Sequence, residues 1–104
     1  MKFRDRRGEE ITAEEYERKM RDSLDMYKIV ARSYDFPGDW MISTVCLGID
    51  FYGLLYETCV FGPTGSEVIA RYATELEAME GHIELSKKLR EELDRGEVPK
   101  LESS

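Results

Sequence analysis

WMISTVCLGIDFYGLLYETCVF, residues 40–61, is the stretch on which the fold turns. Trp40 to Asp50 and Leu54 to Phe61 are rich in β-branched and aromatic residues and poor in charge, with Phe51-Tyr52-Gly53 between them. That is the pattern of a β-hairpin. Side-chain parity sharpens the reading, because a two- or four-residue loop pairs positions whose numbers add to an odd total. Met41, Ser43, Val45, Leu47 and Ile49 then share a face with Leu54, Tyr56, Thr58 and Val60, which makes that face an almost wholly apolar core surface. The opposite face carries Trp40, Ile42, Thr44, Cys46, Gly48 and Asp50 with Leu55, Glu57, Cys59 and Phe61. A three-residue loop would set Glu57 beside Val45 and Leu47. Since a slip of one residue moves every side chain to the wrong face, the odd pairing is favoured. A Tyr52-Gly53 turn then places Cys46 opposite Cys59, whereas a four-residue loop places it opposite Glu57.

Before the hairpin, residues 1–11 carry no periodicity and read as a flexible arm. Thr12-Ala13-Glu14-Glu15 has the form of a capping box. Tyr16, Met20, Leu24, Tyr27, Ala31 and Tyr34 follow at steps of three and four, which predicts a helix over 13–33. Asp35-Phe36-Pro37-Gly38-Asp39 stops it. Beyond the hairpin, Gly62 to Ser66 reads as a loop and Glu67 to Ala73 as a third strand. Thr74-Glu75-Leu76-Glu77 repeats the capping box and opens a helix to about Leu93, with acids early and bases late, as the helix dipole favours. The order α-β-β-β-α defines an α+β class: a three-stranded antiparallel sheet with two helices packed on one face. One domain spans 12–95, and 96–104 is expected to be a flexible tail.

At 104 residues the chain has room for one core, and a core this small often gains stability by association. A homo-oligomer is therefore expected. The 22 acidic residues outnumber the 15 basic ones, giving a net charge of −7, so direct nucleic-acid binding through phosphate neutralisation is not expected. No stretch is long and apolar enough to span a membrane. The basic start, Lys2, Arg4, Arg6 and Arg7, has no apolar run behind it, so a secretory signal is not expected and a cytoplasmic location is. Two cysteines and one histidine fall short of a zinc finger, though their number leaves room for a mixed site with Asp50 or Glu57, and both thiols read as reduced. No metal or cofactor is expected.

Six residues stand out as candidates for ligand binding or an interface. Trp40, Asp50 and Glu57 belong to the mixed hairpin face, which a monomer explains poorly and a binding surface explains well. His82 lies on the sheet side of the second helix, between Ala78 and Leu85, and is the obvious proton carrier near neutral pH. Arg71 and Tyr72 close the third strand. Arg71 suits bidentate contact with an anion, or an ion pair with Glu57 or Asp50 on the neighbouring strand. Gly62-Pro63-Thr64-Gly65-Ser66 lacks the lysine of a phosphate loop and precedes a strand, so it reads as a connector. No serine or thiol has a base in a nucleophile motif, and no catalytic residue is assigned.

Three separated blocks carry a resemblance. Trp40, Ser43-Thr44-Val45, Leu47-Gly48 and Asp50 form the first; Glu57-Thr58 and Val60-Phe61 the second; Arg71-Tyr72, Thr74, Glu77-Ala78 and Gly81-His82 the third. Together they resemble a family of small proteins that recur in tailed-phage and some bacterial genomes. That family often has a histidine after the aspartate and a longer Gly/Pro-rich segment, where this chain has only Phe51-Tyr52-Gly53. The resemblance implies a phage setting, with the protein acting in the host cytoplasm. The expectation is a small accessory protein that binds a host protein, with counter-defence as one form of that role, or a nucleotide-like molecule held between subunits. Two alternatives stand beside it. One is a phosphoester-cleaving enzyme in which Asp50, Glu57, Arg71 and His82 converge on one cleft, and the other is a virion component.

Overall fold

The computed structural model describes residues 2–99, and within that span the side chains at 20, 22–28, 50 and 51 lie outside the described ones. The tail expected at 96–104 falls partly beyond these limits. Eight elements follow one another: β1 (Phe3–Arg4), β2 (Glu10–Ile11), α1 (Ala13–Lys28), β3 (Ile29–Ser33), β4 (Met41–Phe51), β5 (Leu54–Gly62), β6 (Gly65–Tyr72) and α2 (Glu75–Asp94). The class is α+β, with two helices and an antiparallel sheet, but the sheet has six strands rather than three.

The three additional strands lie before the hairpin. The arm expected at 1–11 contains β1 and β2, which pair with each other through Phe3 with Ile11 and Arg4 with Glu10. The helix expected over 13–33 ends at Lys28, and Ile29–Ser33 pairs with β4 instead. Ile29 and Val30 are adjacent β-branched residues, which fit a pleated strand better than a helix. The outer edge of β4 is thus shared: β3 takes Ile42 to Val45, and β1 takes Ile49.

The hairpin turn is Tyr52-Gly53, and both residues have positive φ (55° and 81°), the type I′ geometry of a two-residue connection. Phe51 faces Leu54 across it, in the odd pairing. The pairing does not persist. Between Phe51 and Cys46 the strand β4 takes five steps while β5 takes two, and Gly48 within that bulge has φ of 73°. The odd excess inverts the parity, so Ile42 faces Val60, Thr44 faces Thr58, Val45 faces Glu57, and Cys46 faces Tyr56. The apolar core face expected for the hairpin is therefore corrected: each expected face is split between the two sides of the sheet. Cys46 and Cys59 end on opposite sides, and both are free thiols.

Helix α2 packs along β3 to β6 on the side that carries Ile42, Thr44, Cys46, Tyr56, Thr58 and Val60, burying Ala78, His82 and Leu89. Helix α1 packs along β1, β3 and β4, with the Tyr16 ring 4.6 Å from that of Phe3. Both helices are capped by the expected threonine. Thr74 Oγ1 accepts from the Glu77 amide at 3.2 Å, and Thr12 Oγ1 accepts from that of Glu15 at 3.1 Å. The far end of α2 closes on Gly96, whose φ is 80°. Its amide donates to the Leu93 carbonyl and that of Glu97 to Glu92, a Schellman motif.

Candidate functional site

The buried side of the sheet has three rows. Ile42 and Val60 join Phe36, Trp40 and Leu89 in one apolar cluster. Cys46 and Tyr56 join Leu55 and Ala78 in another. Between them runs a polar row. Thr44 Oγ1 lies 2.5 Å from Thr58 Oγ1 and 2.8 Å from His82 Nδ1. Ser33 Oγ stands 2.8 Å from His82 Nε2, and Ser86 Oγ donates to Ser33 across 3.2 Å. Burial lowers the His82 pKa below its ordinary value, so the ring is neutral at neutral pH. One direction of donation then satisfies the chain: Ser86 to Ser33, Ser33 to Nε2, Nδ1–H to Thr44, Thr44 to Thr58. Among the described residues no buried side-chain polar atom lacks a partner. The arrangement ties β3, β4, β5 and α2 together. Among the described residues no carboxylate is hydrogen-bonded into it to support a serine nucleophile.

The other sequence candidates separate. Trp40 is 7% exposed, with its indole packed over Gly62 so closely that a Cβ there would sit 2.6 Å from the ring. It is a core residue. Glu57 and Arg71 pair on the side of the sheet away from His82, with Arg71 Nε donating to Glu57 Oε2 at 3.1 Å. Cys59 Sγ also donates to Glu57, and burial together with that carboxylate pushes the thiol pKa up to about 11. Tyr72 lies on the His82 side, where its hydroxyl fills the space a side chain on Gly81 would need. Asp50 belongs to β4, but its side chain lies outside the described ones. The cleft shared by Glu57, Arg71 and His82 does not exist, because the sheet stands between them. Among the described residues no three His, Cys, Asp or Glu side chains are grouped to hold a metal ion. No helix among them is long and apolar enough to cross a membrane.

What the sequence reading missed is a groove. β6 ends the strand order and pairs, among the described residues, with β5 alone, so its other edge is open. Beside that edge α2 forms a wall. The space between them, about 620 Å³, is lined by Ile69 and Tyr72 of β6 and by Gly81, Glu84, Leu85, Lys87, Lys88 and Glu91 of α2, with Ile69, Tyr72 and Leu85 as its apolar floor. It continues past Ile69, Leu85 and Lys88 into a smaller hollow of about 170 Å³, reached by Glu67, Leu89, Glu92 and Pro99. Val68 and Ile69 are 43% and 42% exposed. The register shifts between Thr58 and Cys59, leaving Ile69 as the extra residue of a bulge opposite them. Val68-Ile69-Ala70, three apolar residues in succession where alternation would place a polar one, were the sequence signal for it.

Compared with known protein families, with curated proteins and with solved structures, the chain matches none. Its functional reading rests on an α+β domain with an open sheet edge beside a helix-walled groove.

Proposed function

We propose that this protein acts by binding a protein partner, which docks as an added strand on the open edge of β6, under the wall of α2. The observation that carries the reading is the juxtaposition of that unpaired eight-residue edge with an apolar floor. Backbone groups along an open edge supply hydrogen bonds to an incoming strand, and the adjacent groove selects its side chains. In the phage setting that the resemblance implies, the partner is a host protein. A nucleotide-like ligand has less support, because acids outnumber the two lysines along the groove.

The test is site-specific photocrosslinking in the native host cytoplasm, with the crosslinker placed at Ile69 and, as a control, at Tyr52 on the far hairpin turn. A discrete protein adduct from position 69 that is missing from position 52 supports the docking edge. Adducts of equal pattern at both positions, or none at 69, overturn it.

Self-association is a second reading, favoured by a specific observation. Leu76, Met79 and Ile83 are 68%, 36% and 61% exposed and stand in one row on α2, away from the groove. Native mass spectrometry of wild type and of Ile83→Glu reads this directly. A wild-type dimer that the substitution dissociates supports the row as the contact, and a wild-type monomer removes the reading.

A further inference from the structure

The groove also specifies what kind of strand it takes, and this inference rests on the docking reading above. Its floor is apolar at Ile69 and Leu85, the two residues shared by its wide and narrow parts. Acids line both parts of the groove, Glu84 and Glu91 the wide one and Glu67 and Glu92 the narrow one. These four face only Lys87 and Lys88, so the groove has a formal charge of −2. Lys88 reaches both parts, and its aliphatic stem can cover apolar surface while the ammonium stays in water. We propose that the partner segment is an extended peptide with a central apolar residue and a basic residue two positions to either side.

The spacing follows from strand geometry. Residues two apart on an added strand point to the same face, so three alternate side chains enter the groove in line. The central one covers Ile69 and Leu85. The outer two reach the acids of the wide and the narrow part. An acidic segment in the same backbone pairing would set its carboxylates against Glu67, Glu84 and Glu92. Glu84 is exposed and Glu67 and Glu92 are half-buried, so the preference weakens as salt screens these contacts.

Three acetylated and amidated peptides serve as probes: Thr-Lys-Thr-Val-Thr-Lys-Thr, the same sequence with glutamate for both lysines, and the same sequence with proline for valine. Each is titrated into the isotope-labelled full chain and followed by amide chemical shifts. The expected result is shifts confined to β6 and α2, an affinity for the lysine peptide about tenfold above that for the glutamate peptide, and no binding by the proline peptide. In a Glu67→Lys/Glu92→Lys variant, with wild-type shifts elsewhere, the preference should vanish or invert. Equal binding of both charged peptides along β6 overturns the charge inference and leaves the docking edge standing. Shifts elsewhere, or none at millimolar peptide, overturn the inference outright. The crosslink from position 69 then decides separately whether the docking edge survives.

Discussion

The apolar clusters around Trp40 and around Cys46 are held by shape and area, whereas the row between them is held by two threonines, two serines and one imidazole. Apolar packing rewards any arrangement that excludes water and fills space. The polar row rewards only one, because each hydroxyl and ring nitrogen must meet a particular partner. On a sheet whose parity is inverted by a bulge, that distinction matters. If β4 slipped by two residues, apolar side chains would still meet apolar ones in part, but Thr44 would leave both Thr58 and His82. The clusters supply most of the driving force for packing α2 on the sheet. The polar row selects the register.

The largest effect is expected from the apolar side. Trp40→Ala removes an indole beside Gly62, which has no side chain to fill the gap, and should cost ~3–5 kcal/mol in urea unfolding. His82→Ala leaves Thr44 and Ser33 without their nitrogen partners and should cost about 2–3 kcal/mol. Replacing its three buried members together, by Thr44→Val, Thr58→Val and His82→Leu, should recover part of that loss, since only the half-buried Ser33 hydroxyl is left to find another acceptor. The comparison predicts that the triple variant loses chemical-shift dispersion or populates a second strand register. A single sharp register in that variant would show that the polar row does not select it.

Two glycines sharpen the contrast between rigid and yielding neighbours. Gly62→Ala meets a Trp40 ring that is buried and locked, and should cost ~1–3 kcal/mol. Gly81→Ala meets the tip of a half-buried Tyr72, which can swing outward, so the loss should be smaller. Equal losses would mean that Tyr72 is as confined as Trp40. The smallest effect is the pH dependence. His82 has its folded pKa below the unfolded value of about 6.5. Below that pH the unfolded chain takes up a proton that the folded one resists. Stability from this group is thus complete above about pH 6.5 and falls on acidification, by at most about 1.4 kcal/mol per pH unit. Unfolding of wild type and of His82→Gln between pH 7.5 and 5.5 isolates it. The wild type should fall more steeply, and parallel slopes would remove His82 as the cause.

Much of the C-terminal half was legible. The hairpin with a two- or four-residue loop, the strand beyond it, the Thr74 cap and the helix that follows all arise from local chemistry that the sequence carries openly, and the structure selects Tyr52-Gly53 as the turn. The faces of the hairpin were not legible from alternation, because one glycine cancels alternation. Gly48 inside a strand was the available warning, since glycine there accommodates a bulge. The strand at Ile29–Ser33 hid behind a helical spacing that ran on through Ala31 and Tyr34. Strands of two residues such as β1 carry too little pattern to be read at all. Of the candidate site, Tyr72 lines the groove, His82 serves the interior, and Glu57 and Arg71 found each other across two strands. The groove itself depends on which strand ends the sheet, and that is a property of topology rather than of any local residue pattern.

The shared edge of β4 also orders events in time. Phe51 needs only to reach Leu54, whereas Phe3 must wait for Ile49. Loops that close early cost less entropy, so β4, β5 and β6 form a meander from neighbours in sequence, and the distant partners join afterwards. Residues 3–11 therefore leave the ribosome before β4 and settle after it. Until β4 exists, its future edge has no fixed claimant, and β3 and β1 reach it in the order that loop length dictates. In pulse-labelled hydrogen exchange during refolding, amides of β5 and β6 should become protected first and those paired to β1 last.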